Sequence, residues 1–162
     1  MTIKVGDKLP NATFMTMSAD GPKPRASDGI FNGRKVVLFG LPGAFTPTCH
    51  RNHLPGYMAH QADFKAKGVD EIAVVSVNDV FVMDAWEKNT GATGKVTFLA
   101  DGSGDFAKAC GLVLDLTGKG MGVRSQRYSM LVEDGVVKKL NIEDAPAGAE
   151  LSSGAEALLR QM

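Results

Sequence analysis

Residues 36–41 read Val-Val-Leu-Phe-Gly-Leu and stop at Pro42-Gly43. An unbroken apolar run bounded by turn residues is the pattern of a strand buried on both faces, because neither face alternates toward water. Such a strand needs a layer on each side of its sheet, so the rest of the chain must supply them. At 162 residues the chain is long enough for one such domain. A domain of this size buries about 70% of the surface its unfolded form exposes, so its core needs no disulfide or metal to hold it.

The remaining pattern alternates. A short strand is predicted over 12–17, followed by a Gly/Pro/Asp/Lys-rich stretch over 18–35 that reads as turns. After Pro42-Gly43 a helix is predicted from about Pro47 to Lys67, broken at Pro55-Gly56, since proline lacks the helical donor and crowds the preceding turn. Glu71–Val77 reads as a second buried strand, Val80–Asn89 as a helix capped by Asp79, and Val96–Leu99 as a third strand. A short helix over Asp105–Cys110 ends at Gly111. Strands 128–132 and 136–140 form a hairpin across Asp134-Gly135, and Leu151–Gln161 is a terminal helix. The expected fold is α/β, with a mixed central sheet flanked by helices.

Charge narrows the function classes. Eighteen basic residues balance 18 acidic ones, so no global field draws in nucleic acid or an anionic membrane, and neither is an expected partner. No apolar window reaches a membrane-spanning length, and Met1–Asp7 lacks the charged-then-apolar pattern of a secretory signal, so the expected location is cytoplasmic. In a reducing compartment the two cysteines are buried filler, metal ligands or reagents rather than a disulfide framework.

Cys49 follows the central strand and the Pro-Gly turn, in the first turn of a predicted helix. Free backbone N–H groups and the positive end of the helix dipole face a sulfur placed there, an environment in which cysteines react as thiolates. Thr46 stands where a C-x-x-C pair would place its first cysteine, so dithiol exchange within that motif is not available. A hydroxyl three residues before the sulfur is suited to position an oxygen-containing substrate.

Pro42, Thr46 and Cys49 reproduce the P-x-x-x-T-x-x-C pattern of peroxiredoxins. The longer string PGAFTPTC, with HLPGY at His53–Tyr57 and Arg127-Tyr128-Ser129-Met130 downstream, resembles the type-five, or type II, subfamily. The resemblance covers essentially the whole chain, so residues 1–162 are read as one thioredoxin-like redoxin domain. It implies a thiol peroxidase acting on hydrogen peroxide and organic hydroperoxides, in which Cys49 becomes a sulfenic acid. By the same likeness Thr46 would orient the peroxide, Arg127 would hold the sulfur and stabilise the leaving oxygen, and Pro42 would shield the sulfur from water. Gly43, Thr48 and His53 are pocket candidates. No bound cofactor or metal is implied, only an external thiol reductant such as glutathione with glutaredoxin, or thioredoxin, and a homodimer.

Positioning matters more than ionisation in such a reaction. Moving a thiol from a pKa of 8.5 to about 6 raises its thiolate fraction at pH 7 roughly thirtyfold, yet costs roughly thirteenfold in intrinsic nucleophilicity. Only about a twofold gain remains, so large accelerations come from oriented donors at the breaking O–O bond.

Other readings stand beside these. Arg124 is the alternative to Arg127, and Trp86 sits either at a dimer interface or in the core. His50 and His53 lie three apart but follow no standard zinc spacing, and no metal is expected. Cys110 reads as a buried structural thiol, an improbable resolving partner. The subfamily's resolving positions, near Ser76 and near Leu151-Ser152-Ser153, lack cysteine here, which favours a one-cysteine cycle. A peroxide-sensing or partner-binding protein using the same Cys49 with little turnover is the competing function.

Overall fold

The computed structural model describes residues 1–143 and 152–162. The apolar run forms β3 (Lys35–Leu41), preceded by β1 (Thr13–Ser18), β2 (Gly21–Ala26) and α1 (Ser27–Phe31). Beyond it come α2 (Leu54–Ala59), α3 (Gln61–Ala66), β4 (Glu71–Ser76), α4 (Val80–Thr90), β5 (Thr97–Ala100) and α5 (Asp105–Cys110). A small hairpin of β6 (Val113–Leu116) and β7 (Gly122–Ser125) precedes β8 (Arg127–Glu133), β9 (Val136–Glu143) and α6 (Ala155–Gln161).

The main sheet has the order β2-β1-β5-β4-β3-β8-β9. β3 runs parallel to β4, β4 parallel to β5, and β3 antiparallel to β8, so the sheet is mixed with β3 inside it. Alternation along β3 sends Val37, Phe39 and Leu41 into one core and Val36 and Leu38 into the other, all fully buried. Leu54, Tyr57, Phe64, Trp86 and Leu158 from α2, α3, α4 and α6 cover the first face, while Ile30, Phe31, Phe106 and Cys110 from α1 and α5 cover the second. Predicted and observed cores agree because a strand apolar on both faces is stable only between two layers.

Three local expectations are corrected. The 18–35 stretch is not all turn, since it holds β2 and α1. Pro22 and Pro24 sit opposite Met17 and Met15 on the outermost strand, two residues apart and so equivalent in the ladder, where their missing N–H groups cost no sheet hydrogen bond. The helix after Cys49 runs through Pro55-Gly56 and breaks instead at His60 (φ −103°, ψ 14°). Pro55 is accommodated by the widened turn before it, which leaves fewer carbonyls in need of its absent donor. The hairpin strands are longer than expected, although their turn is as predicted, with Asp134 and Gly135 both at positive φ (49° and 76°). The terminal helix begins at Ala155, and Leu151, its predicted start, lies outside the described residues.

Candidate active site

The site is built at the carboxyl end of β3. Ser76, at the end of β4, donates to Asn78 Oδ1 (2.6 Å), which also accepts from the Ala44 N–H (3.0 Å), so the neighbouring strand holds the loop that follows β3. Arg124 Nη1 donates to the Pro42 carbonyl (3.2 Å) and its Nε to the Met121 carbonyl (2.9 Å), bracing the loop from β7. A Cβ on Gly43 would lie 2.7 Å from Arg124 Nη1 and 3.2 Å from Thr46 Cγ2, so a larger residue there would displace the end of the arginine that braces the loop. Thr46 donates its hydroxyl to the Gly43 carbonyl (2.7 Å), closing the turn.

Phe45 takes a left-handed conformation (φ 64°), which costs a non-glycine residue roughly 1–2 kcal/mol. Its ring stacks on His50 at 5.8 Å and reaches Trp86 at 6.5 Å, contacts that offset the strain. Helical structure then begins at Pro47, with the half-buried Thr48 beside Cys49. Cys49–His53 form one wide turn in which the Leu54 N–H reaches back five residues to the Cys49 carbonyl. That turn directs Cys49 and His53 inward together, and both are fully buried.

Arg127 meets them from the start of β8. Its neighbour Tyr128 pairs with Gly40 and faces the second core, so strand alternation turns Arg127 toward the face that holds Cys49. Arg127 Nη2 donates to Cys49 Sγ (3.1 Å), and Nη1 stands 3.2 Å from His53 Nδ1. Of the two arginines considered from sequence, Arg127 is on the sulfur and Arg124 on the loop.

His53, a pocket candidate from the sequence, lies fully buried against Arg127. Burial first, then the Arg127 charge, outweigh a hydrogen bond at the Ser153 carbonyl and hold its pKa at about 3, so the ring is neutral at physiological pH. Its Nε2 lies 3.0 Å from the Ser153 carbonyl oxygen and 3.2 Å from Ser153 Oγ. The Ser153 hydroxyl donates to Glu143 at the end of β9, and the Tyr57 hydroxyl donates to the Ser153 carbonyl (2.7 Å).

His50 turns the other way and accepts from Trp86 Nε1 (3.0 Å), so the two histidines do not converge on one point. Trp86 is fully buried, which settles it in the core. Among the described residues no three His, Cys, Asp or Glu side chains are grouped as metal ligands. Cys110 belongs to the second core, so the sheet separates it from Cys49 in the first. A disulfide needs Cα atoms within about 7 Å, closer than residues packed on opposite sides of a sheet. Burial, with a smaller effect of Asp101, pushes the Cys110 thiol up to about 12, leaving it protonated.

Comparison with known proteins matches residues 4–159 to the Redoxin family. Peroxiredoxin-2C of Oryza sativa subsp. japonica is 46% identical over 161 residues, covering 99% of this chain and 98% of its own. The chain is a peroxiredoxin. Among solved structures, reduced Prx3 of Vibrio vulnificus in complex with H2O2 superposes with a TM-score of 0.92 at 49% identity, covering 99% of each chain. Peroxiredoxin 5 of Alvinella pompejana does so at 0.84 and 35%, covering 98% of this chain and 96% of its own. The fold is thioredoxin-like, and the enzyme class is the thiol peroxidases, which carry no prosthetic group and draw on thiol reductants.

In this peroxiredoxin the sequence motif and the downstream arginine meet at one end of β3: Pro42, Gly43, Thr46, Thr48 and Cys49 from the loop and first turn, Arg127 from β8. Ser76 is buried and bonded to Asn78, and Ser153 is buried on His53. Sequence reading missed Phe45, Asn78, Ser153 and Glu143. Ser153 lies 100 positions from His53, and no local pattern marks a pairing at that distance.

Proposed function

We propose that this peroxiredoxin reduces hydrogen peroxide and small organic hydroperoxides through Cys49 in a one-cysteine cycle. The contact between Arg127 Nη2 and Cys49 Sγ carries the reading, because it puts a fixed positive donor where sulfur attacks and oxygen leaves. The sulfur attacks one peroxide oxygen, an S–O bond forms, and the O–O bond breaks with its electron pair going to the second oxygen. That oxygen takes a proton and departs as water or alcohol, leaving the sulfur two electrons more oxidised as a sulfenic acid. An external thiol then displaces hydroxide, which leaves as water, and a second thiol releases the resulting mixed disulfide.

The position of Cys110 across the sheet supports recycling by an outside thiol. Glutathione with glutaredoxin, or thioredoxin, is the reductant class we assign. The full burial of Cys49 suits small peroxides and requires the first helical turn to open before a bulkier thiol reaches the sulfur. A homodimer is the assembly we assign, and the exposed apolar side chains Phe45, Phe81 and Val123 are available to it.

The test is intact-mass analysis of wild-type and Cys49→Ser protein after stoichiometric peroxide with a sulfenic-acid trap, beside peroxide consumption with each reductant. Trapping at Cys49, with turnover abolished in the variant, is expected. A mass two hydrogens lighter and untrappable would overturn the one-cysteine cycle. Oxidation of Cys49 without turnover would make the protein a sensor instead.

A further inference from the structure

We propose that the cavity between α3 and α4, at the amino ends of β4 and β5, binds a small zwitterionic peptide, a molecule carrying carboxylate and ammonium groups on a short apolar frame. The inference stands apart from the peroxidase reading. Glu71 opens β4 at the cavity and Ser76 closes it at the Cys49 end, a separation of roughly 17 Å along the strand.

Size and floor suit the frame of such a ligand. The cavity has a volume of about 560 Å³, within the range of sites that enclose small molecules. Its floor is the first core, where Met83 of α4 and Val96 and Phe98 at the start of β5 are buried and line the space. Met17 of β1 adds a second flexible thioether, able to follow the shape of what lies on it. Charged ends of a ligand must find their partners above this floor.

Most charges around the cavity are already committed. Arg25 and Arg34 both hold Glu71, at 2.7–2.9 Å, Asp84 is paired with Lys88 at 2.8 Å, and Asp70 accepts the Lys35 N–H at 2.8 Å. Three are not. Lys65 on α3 and Lys95 before β5 line the cavity and make no ion pair within 4 Å among the described residues. Glu87 on α4 also lines it, with only the Thr93 hydroxyl at 3.4 Å. Burial raises the Glu87 pKa against that hydrogen bond, so a cation set beside the carboxylate would offset the cost of burying it. Two uncommitted ammonium groups and one uncommitted carboxylate are the complement of a peptide with two carboxylates and one amine. A plain anion would leave Glu87 unmatched, and a plain cation would meet both lysines. The walls are set before a ligand arrives, because Gln61 on α3 donates to the Gly94 carbonyl (3.5 Å) and the doubly held Glu71 fixes the rim.

Trp86, the chain's single tryptophan, lies one turn after Met83 and next to Glu87 on α4, so its emission reports on the cavity. The probe is S-methylglutathione, a peptide of this charge pattern whose capped sulfur cannot reduce the enzyme. Titrated into wild-type protein it should bind saturably with a change in Trp86 emission, and amide NMR shifts should centre on Lys65, Glu87 and Lys95. Glu87→Gln and the double variant Lys65→Gln, Lys95→Gln should each weaken binding about tenfold or more, the range for losing a hydrogen bond to a charged group, with melting temperature and peroxide consumption unchanged. Cys49→Ser should bind as wild-type does. No saturable binding at millimolar probe would overturn the proposal, as would binding that survives in both cavity variants or is lost in Cys49→Ser, which would place the peptide at the sulfur. Octanoate binding as tightly as the peptide would show that an apolar anion is enough and would overturn the zwitterionic class.

Discussion

The ring of Tyr128 on β8 lies directly over Gly40 on β3, its hydroxyl oxygen 2.8 Å from where a Cβ on Gly40 would stand and its ring carbons nearer still. The glycine that interrupts the apolar run is therefore a seat for the neighbouring strand's aromatic ring. Gly40→Ala should destabilise the protein by about 1–3 kcal/mol through overpacking, since both residues are buried and the ring has no empty side to move to. Denaturant unfolding reads this directly, and an unchanged midpoint would mean that Tyr128 repacks freely. Because Tyr128 precedes Ser129 and follows Arg127, the same variant should also lower peroxide reduction by disturbing the arginine's strand.

Arg127 and Arg124 separate by role. Arg127→Gln removes the donor at Cys49 Sγ and should cost roughly a hundredfold in kcat/KM for peroxide, as for loss of one oriented donor to a developing oxyanion. Arg124→Gln only loosens the Pro42 carbonyl and should cost about tenfold or less. Stopped-flow oxidation of the two variants checks the order, and the reverse ranking would reassign the catalytic arginine.

Acid should weaken the fold in two windows. Unfolded His53 takes up a proton near its ordinary pKa of 6.5, whereas the folded protein resists until about 3, so stability falls as the pH drops between those values. Glu71 opposes burial, which alone would raise its pKa, with hydrogen bonds from Arg25, Thr97 and Arg34 that bring it from 4.5 to about 2. Its contribution is complete above about pH 4.5 and is lost as the pH falls toward about 2. Glu71→Gln should cost on the order of 1–2 kcal/mol at pH 7, given that solvent reaches its two arginine partners, and should flatten the lower window. Urea titrations from pH 7 to 3 on wild-type, Glu71→Gln and His53→Phe proteins test both; parallel curves would count against the assignment.

Cys110, buried and protonated, should resist alkylation in the native protein, and Cys110→Ala should retain full peroxidase activity at a cost of about 1 kcal/mol in stability. With no second thiol in reach to capture the sulfenic acid, excess peroxide without reductant should convert Cys49 to sulfinic acid and inactivate the enzyme. Full activity and unchanged mass after many such turnovers would contradict this.

Much of the site was legible because its parts are local. Pro42, Gly43, Thr46 and Cys49 fall within eight residues, where strand end, turn and helix start follow from side-chain type alone. Arg127 was legible through the family resemblance of Arg127-Tyr128-Ser129-Met130, although only alternation against Gly40 and Tyr128 shows which face it takes. β2 escaped notice because two prolines and a glycine carry a turn signal in the chain but are tolerated on an outermost strand. The place of the helix break escaped too, because the wide turn at Cys49–His53 absorbs the proline that was expected to cause it.

By itself, then, the amino-acid order determined the two-sided strand, the alternation of helices and strands around it, and a cysteine at a helix start with a hydroxyl three residues before it. These depend on interactions between neighbours in the chain, where residue type and spacing are sufficient. Tertiary structure decided that Cys110 is walled off from Cys49, that Arg127 rather than Arg124 reaches the sulfur, and that His53 packs against that arginine. Those outcomes hang on which face of the sheet each residue takes and on contacts across as many as 100 positions, which exist only once separate elements have packed.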